Sequence, residues 1–180
     1  MNPAPGVLLV ATPALTDPSF RRTVVYLVEH SAEGALGFIV NRPMDIALGD
    51  LWGDCPPGLT ACSAAAEGGP VERHKGLLLH GHCAIEGTAP MGQGLFVGGD
   101  LRHIADHWQS GTNHHGPRLY LGHSGWVGGQ LEEEIANGAW LLRPGTIDLI
   151  VSGVPDGLSG EQLWEQLSSG PHGLPKPSLN

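Results

Sequence analysis

Cysteine is scarce in this chain, which carries only Cys55, Cys62 and Cys83 among its 180 residues. No two of them are spaced as CxxC, and an odd, sparse set of this kind is typical of reduced thiols in the cytoplasm. Long apolar runs are also lacking, since no segment approaches the roughly 18–20 residues of a membrane span and the N-terminus has no basic signal segment. We therefore expect a cytoplasmic protein that does not associate with a membrane.

Basic residues are few as well. Nine Lys and Arg stand against eighteen Asp and Glu, giving a formal net charge of −9 at pH 7 with histidine neutral. An acidic surface repels the phosphate backbone of nucleic acids, and the pair Arg21-Arg22 is too small to reverse this. The composition therefore disfavours direct nucleic-acid binding.

Glycine and proline are abundant instead, with 28 and 15 residues, and they separate short apolar runs. So many glycines exclude an all-helical bundle, because each costs about 1 kcal/mol inside a helix. The pattern predicts strands at 6–11, 76–80, 95–97, 117–122 and 146–151, an antiparallel hairpin over 22–41, helices over 46–52, 101–109 (N-cap Asp100), 128–136 and after Ser159, and a surface connection over 53–69.

These elements mix strands and helices without regular βαβ alternation. The predicted class is therefore α+β, with a largely antiparallel, curled sheet and short flanking helices. We expect one domain over residues 1–169 and a loose tail over 170–180, which is rich in glycine and proline.

Two histidine motifs have spacings that could hold a metal ion. His80 and His82 are separated by one glycine, and His103 and His107 lie four residues apart on a predicted helix. The zinc-protease motif requires Glu after the first histidine, whereas Ile104 occupies that position. Neither motif supplies four ligands, so no metal and no cofactor is predicted; the residues that would serve a histidine-based metal site are His80, His82, His103 and His107.

Other catalytic and phosphate-binding motifs are incomplete. The segment Gly122-His-Ser-Gly125 lacks the second glycine of a nucleophile elbow, because Trp126 stands there. The glycine pairs lack the Walker lysine and the dinucleotide-binding pattern. We interpret Ser124 as a turn residue and the glycine pairs as sites of positive φ or close strand approach.

Several segments together resemble the YqgE/AlgH family, also designated UPF0301 or DUF179, a largely uncharacterised bacterial group. The segments that carry the resemblance are Leu15-Thr-Asp-Pro-Ser-Phe-Arg-Arg-Thr-Val-Val-Tyr-Leu-Val-Glu-His30, Gly34-Ala-Leu-Gly-Phe-Ile-Val-Asn-Arg-Pro43, Gly68-Gly-Pro-Val71, Gly76-Leu-Leu-Leu-His80, Leu121-Gly-His-Ser-Gly-Trp126, Gly129-Gln-Leu-Glu-Glu-Glu-Ile135 and Trp140-Leu. They follow the family's order over about residues 6–165.

The resemblance implies one α+β domain whose bifurcated sheet folds into a pseudo-barrel. It implies no activity, because the family has no established biochemical function. Members are often labelled transcriptional regulators, a label that fits poorly with a charge of −9 and no helix-turn-helix pattern. The family's motif positions in this chain that form the candidate ligand or partner site are Asp17, Arg21, His30, Asn41, Gly68, Gly69, Pro70, His80, Gly125, Trp126, Gln130 and Glu132.

The leading hypothesis is a non-enzymatic binding or regulatory protein whose partner is a small anion or another protein. Its site would lie where the turn at 68–70 meets the loop and helix over 122–132, because free N–H groups at a helix start suit an anion. One alternative is a hydrolase or transferase with His80 or His30 as general base and Asp17 or Glu132 nearby. A second alternative is the histidine metal site. The motif residues also have structural interpretations, in which Asn41 caps a loop, Asp17 caps a short helix and Arg21 pairs with a carboxylate.

Overall fold

A computed structural model describes residues 1–51, 55, 64–82, 85–109 and 116–169. The predictions for Trp52, for most of the 53–63 connection and for the 170–180 tail lie outside the described residues. Within them the strands are β1 (Val7–Ala11), β2 (Val24–Ser31), β3 (Gly34–Ile39), β4 (Pro43–Ala47), β5 (Ala64–Glu67), β6 (Val71–His80), β7 (Thr88–Gly92), β8 (Leu95–Gly98), β9 (Arg118–Val127) and β10 (Trp140–Pro144). The helices are α1 (Leu48–Leu51), α2 (Leu101–Gln109), α3 (Gln130–Ala136), α4 (Ile147–Val151) and α5 (Gly160–Ser168).

The strands form one sheet in the order β10-β1-β2-β3-β9-β6-β8-β7, and β5 joins β9 to β4 on a side branch. Among the described strands every pairing is antiparallel except that of β5 with β9. The strand path is open, since β10 at one end and β7 at the other are not paired with each other. This confirms the predicted α+β class, the single domain and the largely antiparallel sheet.

The sheet forks along β9. The second half of β9, Ser124–Val127, pairs with β3, whereas its first half pairs with β6 and β5. Gly68 lies in the fork: its N–H donates to the Leu121 carbonyl (2.8 Å) and its carbonyl accepts from Ile39 N–H (2.8 Å). A Cβ at this position would lie 2.3 Å from the Gly122 carbonyl oxygen, so only glycine fits the fork.

Both faces of the β1–β2 region are buried, which explains why these strands are continuous apolar runs. Val24, Tyr26 and Val28 face one cluster, and Val25 and Leu27 face the other. Helices α4 and α5 cover the first cluster, and α3 covers the second; the residues that these helices contribute are Ile150, Val151, Trp164 and Leu131. A third cluster lies under α2 and includes Ile104, Leu78 and Leu119.

The capping predictions at Asp100 and Ser159 were correct. Asp100 caps α2, since its Oδ1 accepts from His103 N–H (2.9 Å). Ser159 and Gln162 form a reciprocal capping box at the start of α5. The hairpin over 22–41 is also confirmed by the antiparallel pairing of β2 with β3.

Four element predictions were wrong. Residues 147–151 form helix α4 instead of the last strand, because a short apolar run suits either state and β10 already occupies that edge of β1. The segment 122–127 is strand and not loop, and Ser124 is buried inside it. Residues 43–47 form a strand, leaving only Leu48–Leu51 helical, and β5 lies within the predicted connection.

Arg118 and Tyr120 link three elements inside the first core cluster. Arg118 is 6% exposed, and its Nη1 donates to the Val40 carbonyl (3.0 Å) and to Tyr120 Oη (2.9 Å). Tyr120 Oη donates in turn to the Ile150 carbonyl (2.5 Å) at the end of α4. Among the described residues no carboxylate forms an ion pair with Arg118. Burial raises the pKa of Tyr120 to about 12, although the Arg118 charge opposes the shift.

The raised pKa of Tyr120 predicts a specific loss of stability in alkali. Because the folded pKa exceeds the unfolded value of 10.0, the neutral hydroxyl contributes stability that is complete below pH 10 and lost as the pH rises towards 12. We expect wild type to lose about 2 kcal/mol more than Tyr120→Phe between pH 9 and 11.5, measured by denaturant unfolding. An equal loss in both proteins would contradict the assignment.

Candidate functional site

The loop over residues 17–22, which contains two of the predicted site residues, is held by its own backbone. Asp17 Oδ1 accepts from Ser19 N–H (2.8 Å), so Asp17 caps a turn. The Arg42 guanidinium donates to three of the loop's carbonyls, those of Pro18 (3.2 Å), Ser19 (2.8 Å) and Arg21 (3.2 Å). The loop therefore has a defined conformation although it lies on the surface.

Asn41 uses its whole side chain to connect this loop with the sheet and with α5. Its Oδ1 accepts from Val24 N–H (2.8 Å), and its Nδ2 donates to the carbonyls of Arg22 (2.9 Å) and Gly160 (3.0 Å). The approach of α5 is close, because a Cβ on Gly160 would lie 2.0 Å from the Asn41 carbonyl oxygen. Asn41 thus caps the loop, as the structural interpretation of this residue proposed.

Together with the backbone hydrogen bonds of the loop, these side-chain hydrogen bonds engage every carbonyl from Asp17 to Arg22. Each of the six carbonyls from Asp17 to Arg22 accepts at least one hydrogen bond. Arg22 is held at φ 56°, in the left-handed region that non-glycine residues seldom adopt. A conformation of this cost persists only where the surroundings impose it.

The loop forms one wall of a cleft of about 220 Å³, here called the arginine cleft. Its lining residues are Thr12, Pro13, Leu15, Thr16, Arg21, Arg22 and Trp164. Arg22 pairs with Glu161 of α5, and its guanidinium carbon lies 5.5 Å from the centroid of the Trp164 ring. The Arg21 side chain makes no hydrogen bond or ion pair within the described part of the chain, so the predicted carboxylate partner is not found there.

A second group of predicted residues meets on the face of the sheet covered by α3. The β2–β3 register shifts between Leu27 and Glu29, which inserts one extra residue into β2. The shift turns His30 to the same face as Leu27, and His30 Nε2 lies 2.5 Å from Glu132 Oε1. The bulge therefore creates a contact between residues 102 positions apart.

Glu132 is stabilised as a carboxylate at the start of α3. Its own backbone N–H and then the His30 side chain lower its pKa. Gln130 at the same helix end accepts from Val127 N–H through Oε1 (3.1 Å). These two side chains therefore already engage polar groups at the helix start.

Glu134, which the sequence analysis did not single out, joins this group to the core. Its Oε2 accepts from the indole N–H groups of Trp126 (3.0 Å) and Trp140 (2.9 Å). Its Oε1 accepts from Gln130 Nε2 (3.0 Å). The centroid of the Phe20 ring lies 5.9 Å from that of Trp126 and 5.6 Å from that of Trp140. Trp126 therefore packs in an aromatic cluster, and Gln130 is connected to that cluster through Glu134.

A shallow groove of about 570 Å³ borders the His30 group. Its lining residues are Pro5, Val28, Glu29, His30, Ser31, Glu33, Gly34, Ala35, Leu36 and Trp126. Nδ1 of His30 has no protein partner among the described residues, whereas Nε2 contacts Glu132. The pair therefore satisfies the geometry of a base oriented by a carboxylate.

The remaining predicted site residues lie elsewhere. Gly68 and Gly69 pack against the backbone of β9, where a Cβ on Gly69 would lie 2.2 Å from the His123 carbonyl oxygen. Pro70 continues this fork segment, and Gly125 pairs with Leu36 of β3. The fork does meet residues 122–124, but these residues form strand.

His80 is fully buried in β6. Its Nε2 lies 2.8 Å from the Gly98 carbonyl oxygen, and its Nδ1 accepts from His82 N–H (3.1 Å). Neither Asp17 nor Glu132 forms a hydrogen bond or ion pair with it in the described structure. Of the two histidines proposed as a general base, only His30 has a carboxylate partner from that prediction.

The histidine motifs do not assemble a metal site within the residues that the structure describes. No three His, Cys, Asp or Glu side chains are grouped there to hold an ion. His103 Nδ1 accepts from Glu86 N–H (3.1 Å), which engages one candidate ligand. The His107 side chain lies outside the described structure.

The sequence matches the family model described as AlgH-like over residues 8–171. The chain belongs to the AlgH-like family. A UPF0301 protein of Alcanivorax borkumensis is 36% identical over 170 residues, which cover 91% of this chain and 86% of that protein. These matches confirm the resemblance of the sequence motifs.

Solved structures of related chains share the fold. The solution structure of AlgH from Pseudomonas aeruginosa, also UPF0301, has a TM-score of 0.64 at 29% identity, covering 87% of each chain. A crystal structure from Corynebacterium diphtheriae has a TM-score of 0.67 at 24% identity and covers 89% of this chain and 85% of that one, which shows the fold alone. The names of these proteins state no activity. Among the described residues of this member, no helix is long and apolar enough to cross a membrane.

The double acceptor Glu134 generates a stability prediction. Glu134→Ala removes the partner of two largely buried indole N–H groups, so we expect the free energy of unfolding to fall by about 2–4 kcal/mol. Denaturant unfolding at pH 7 measures this, with Glu133→Ala on the exposed side of α3 as the matched control. A loss no greater than that of the control would show that the indoles do not depend on Glu134.

Proposed function

We propose that this AlgH-like protein is a cytoplasmic, non-enzymatic binding protein whose ligand is a small anion held in the arginine cleft. The proposal rests on Arg21, whose guanidinium has no partner among the described residues and which belongs to a loop whose carbonyls are all hydrogen-bonded. Regulation, if the protein exerts it, would then depend on occupancy of this cleft.

Local charge supports an anion. Arg21 and Arg22 both line the cleft, and Arg42 lies behind the same loop. These three are a third of the chain's nine basic residues, gathered in a protein of net charge −9. Guanidinium groups bind carboxylate and phosphate oxygens in a planar, often bidentate geometry.

Preorganisation supports binding as well. A ligand that ordered this loop would lose affinity to the entropy of ordering, but the hydrogen bonds from Arg42 and Asn41 already hold it. The roles of Asp17 and Asn41 follow from this arrangement. They position the loop that presents Arg21 and do not need to touch the ligand.

Size limits the ligand class. The volume of about 220 Å³ is below the roughly 300–1,000 Å³ typical of sites for drug-sized ligands. It suits one anionic group and a small remainder. A nucleic acid would need contacts to several phosphates in a row, which one small cleft does not offer.

Titration with inorganic phosphate, followed by backbone amide NMR, tests the proposal. We expect saturable shifts in residues 12–22 and around Trp164, and we expect Arg21→Gln to weaken binding about tenfold through loss of a charged hydrogen-bond donor. Arg73→Gln, an exposed arginine on β6, is the matched control. Absence of saturable shifts with phosphate, sulfate or acetate, or equal weakening by both variants, would refute the proposal.

A second function is favoured by the His30–Glu132 contact at the larger groove. Glu132 Oε1 lies 2.5 Å from one imidazole nitrogen, while the other has no protein partner in the part of the chain that the structure describes. Such an imidazole can accept a proton from a water or hydroxyl nucleophile, which is the first step of a hydrolase or transferase.

A panel of activated esters tests this alternative. A base at His30 predicts turnover that falls by 10²–10⁴ in His30→Gln, roughly the contribution of general-base catalysis, and by less in Glu132→Gln. His74→Gln on exposed β6 is the control. Turnover that survives His30→Gln would exclude this base.

A further inference from the structure

We propose that Glu161 is an internal competitor for Arg22, and that the ligand of the arginine cleft therefore carries a phosphate-type dianion. This inference rests on the proposed anion site and names its ligand class. It starts from Glu161 of α5, whose carboxylate already pairs with Arg22, one of the two arginines of the cleft.

Helix α5 is firmly fixed against the cleft. Trp164 Nε1 donates to the Ala11 carbonyl (2.7 Å), and Asn41 Nδ2 donates to the Gly160 carbonyl (3.0 Å). The Ser159–Gln162 capping box completes the first turn of the helix. Glu161 lies in that turn, so its carboxylate is held near Arg22 by the helix itself.

The ion pair lies at the surface and is open to exchange. The side chains of Arg22 and Glu161 are 48% and 53% exposed. Exposed pairs of this kind are weak, which allows a ligand to replace the carboxylate. Once released, Glu161 remains in the first turn of a nine-residue helix, where the helix dipole favours a negative charge.

A ligand therefore meets different conditions at Arg21 and at Arg22. Arg21 has no partner in the described structure, so a single carboxylate can bind it without disturbing Glu161. To bind Arg22, a ligand must first displace the Glu161 carboxylate. Glu161 belongs to the same chain, so its effective concentration at Arg22 is high. An untethered monocarboxylate offers Arg22 the same chemical group as Glu161 and has no advantage over it.

A phosphate group differs in charge and in geometry. It carries close to two negative charges at pH 7.5 and has enough oxygens to accept from both guanidinium groups at once. Such a ligand gains a second guanidinium in return for displacing Glu161. Glu161 thus selects a phosphate or phosphate monoester over a monocarboxylate.

Matched variants of α5 separate competition from a general change in charge. Glu161→Gln and Glu165→Gln each remove one negative charge from the same helix, but Glu165 forms no ion pair with Arg22. Inorganic phosphate and acetate are titrated at pH 7.5 and constant ionic strength into wild type and both variants. Dissociation constants come from NMR shifts of the cleft residues.

We expect Glu161→Gln to bind phosphate about three to five times more tightly than wild type, as the loss of a weak competing pair implies. Acetate affinity should change less than twofold, and Glu165→Gln should resemble wild type for both anions. Equal gains for phosphate and acetate, or equal effects of the two variants, would overturn the role of Glu161 while phosphate binding to Arg21 still supports the site. No binding of either anion to wild type or Glu161→Gln would instead refute the site itself.

Discussion

Gly68 hydrogen-bonds to two strands at once, through its N–H to Leu121 of β9 and through its carbonyl to Ile39 of β3. The rest of the sheet depends on this residue because β9 pairs with β3 along one half and with β5 and β6 along the other. Without backbone groups in the fork, Ile39 and Leu121 would each bury an unpaired polar atom. The absence of a side chain is what lets the segment enter, since a Cβ would strike the Gly122 carbonyl.

Polar side chains elsewhere also hydrogen-bond to elements that are distant in sequence, as the backbone of Gly68 does. Asn41 joins the 17–22 loop to α5, Glu134 joins α3 to two tryptophans, and Arg118 joins β9 to the end of β3. Each has its hydrogen bonds committed within the fold. In the two candidate sites, the polar groups that have no partner or a weakly held one among the described residues are Arg21, Arg22 and His30 Nδ1.

Local signals in the sequence predicted much of the fold. Asp100 and Ser159 were recognised as caps because a cap is formed by residues within four positions of one another. The β2–β3 hairpin has only two residues between its strands, so its pairing also followed from nearby residues. Helix α4 was misread because its apolar run is compatible with both states, and the choice was made by β10, which pairs with β1 from 129 or more residues away.

The arginine cleft also combines contacts between nearby sequence segments with contacts between distant ones. Asp17, Arg21 and Asn41 belong to two motif segments that the hairpin brings together, so their grouping follows from the sequence. Glu161 and Trp164 reach the same cleft only because α5 packs on β1, and no local pattern indicates that contact. The predicted site residues therefore include the loop side of the cleft and omit Glu161 and Trp164 on the α5 side.

By itself the sequence determined the class of the fold, the family and the ends of its capped helices, because each depends on composition or on neighbours along the chain. Tertiary structure alone decided which polar residues remain available. His30 shows the reason: strand alternation would turn it away from Leu27, but one extra residue in β2 reverses the parity and places the imidazole against Glu132. A bulge is set by the pairing of two strands, and that pairing exists only after the chain has folded.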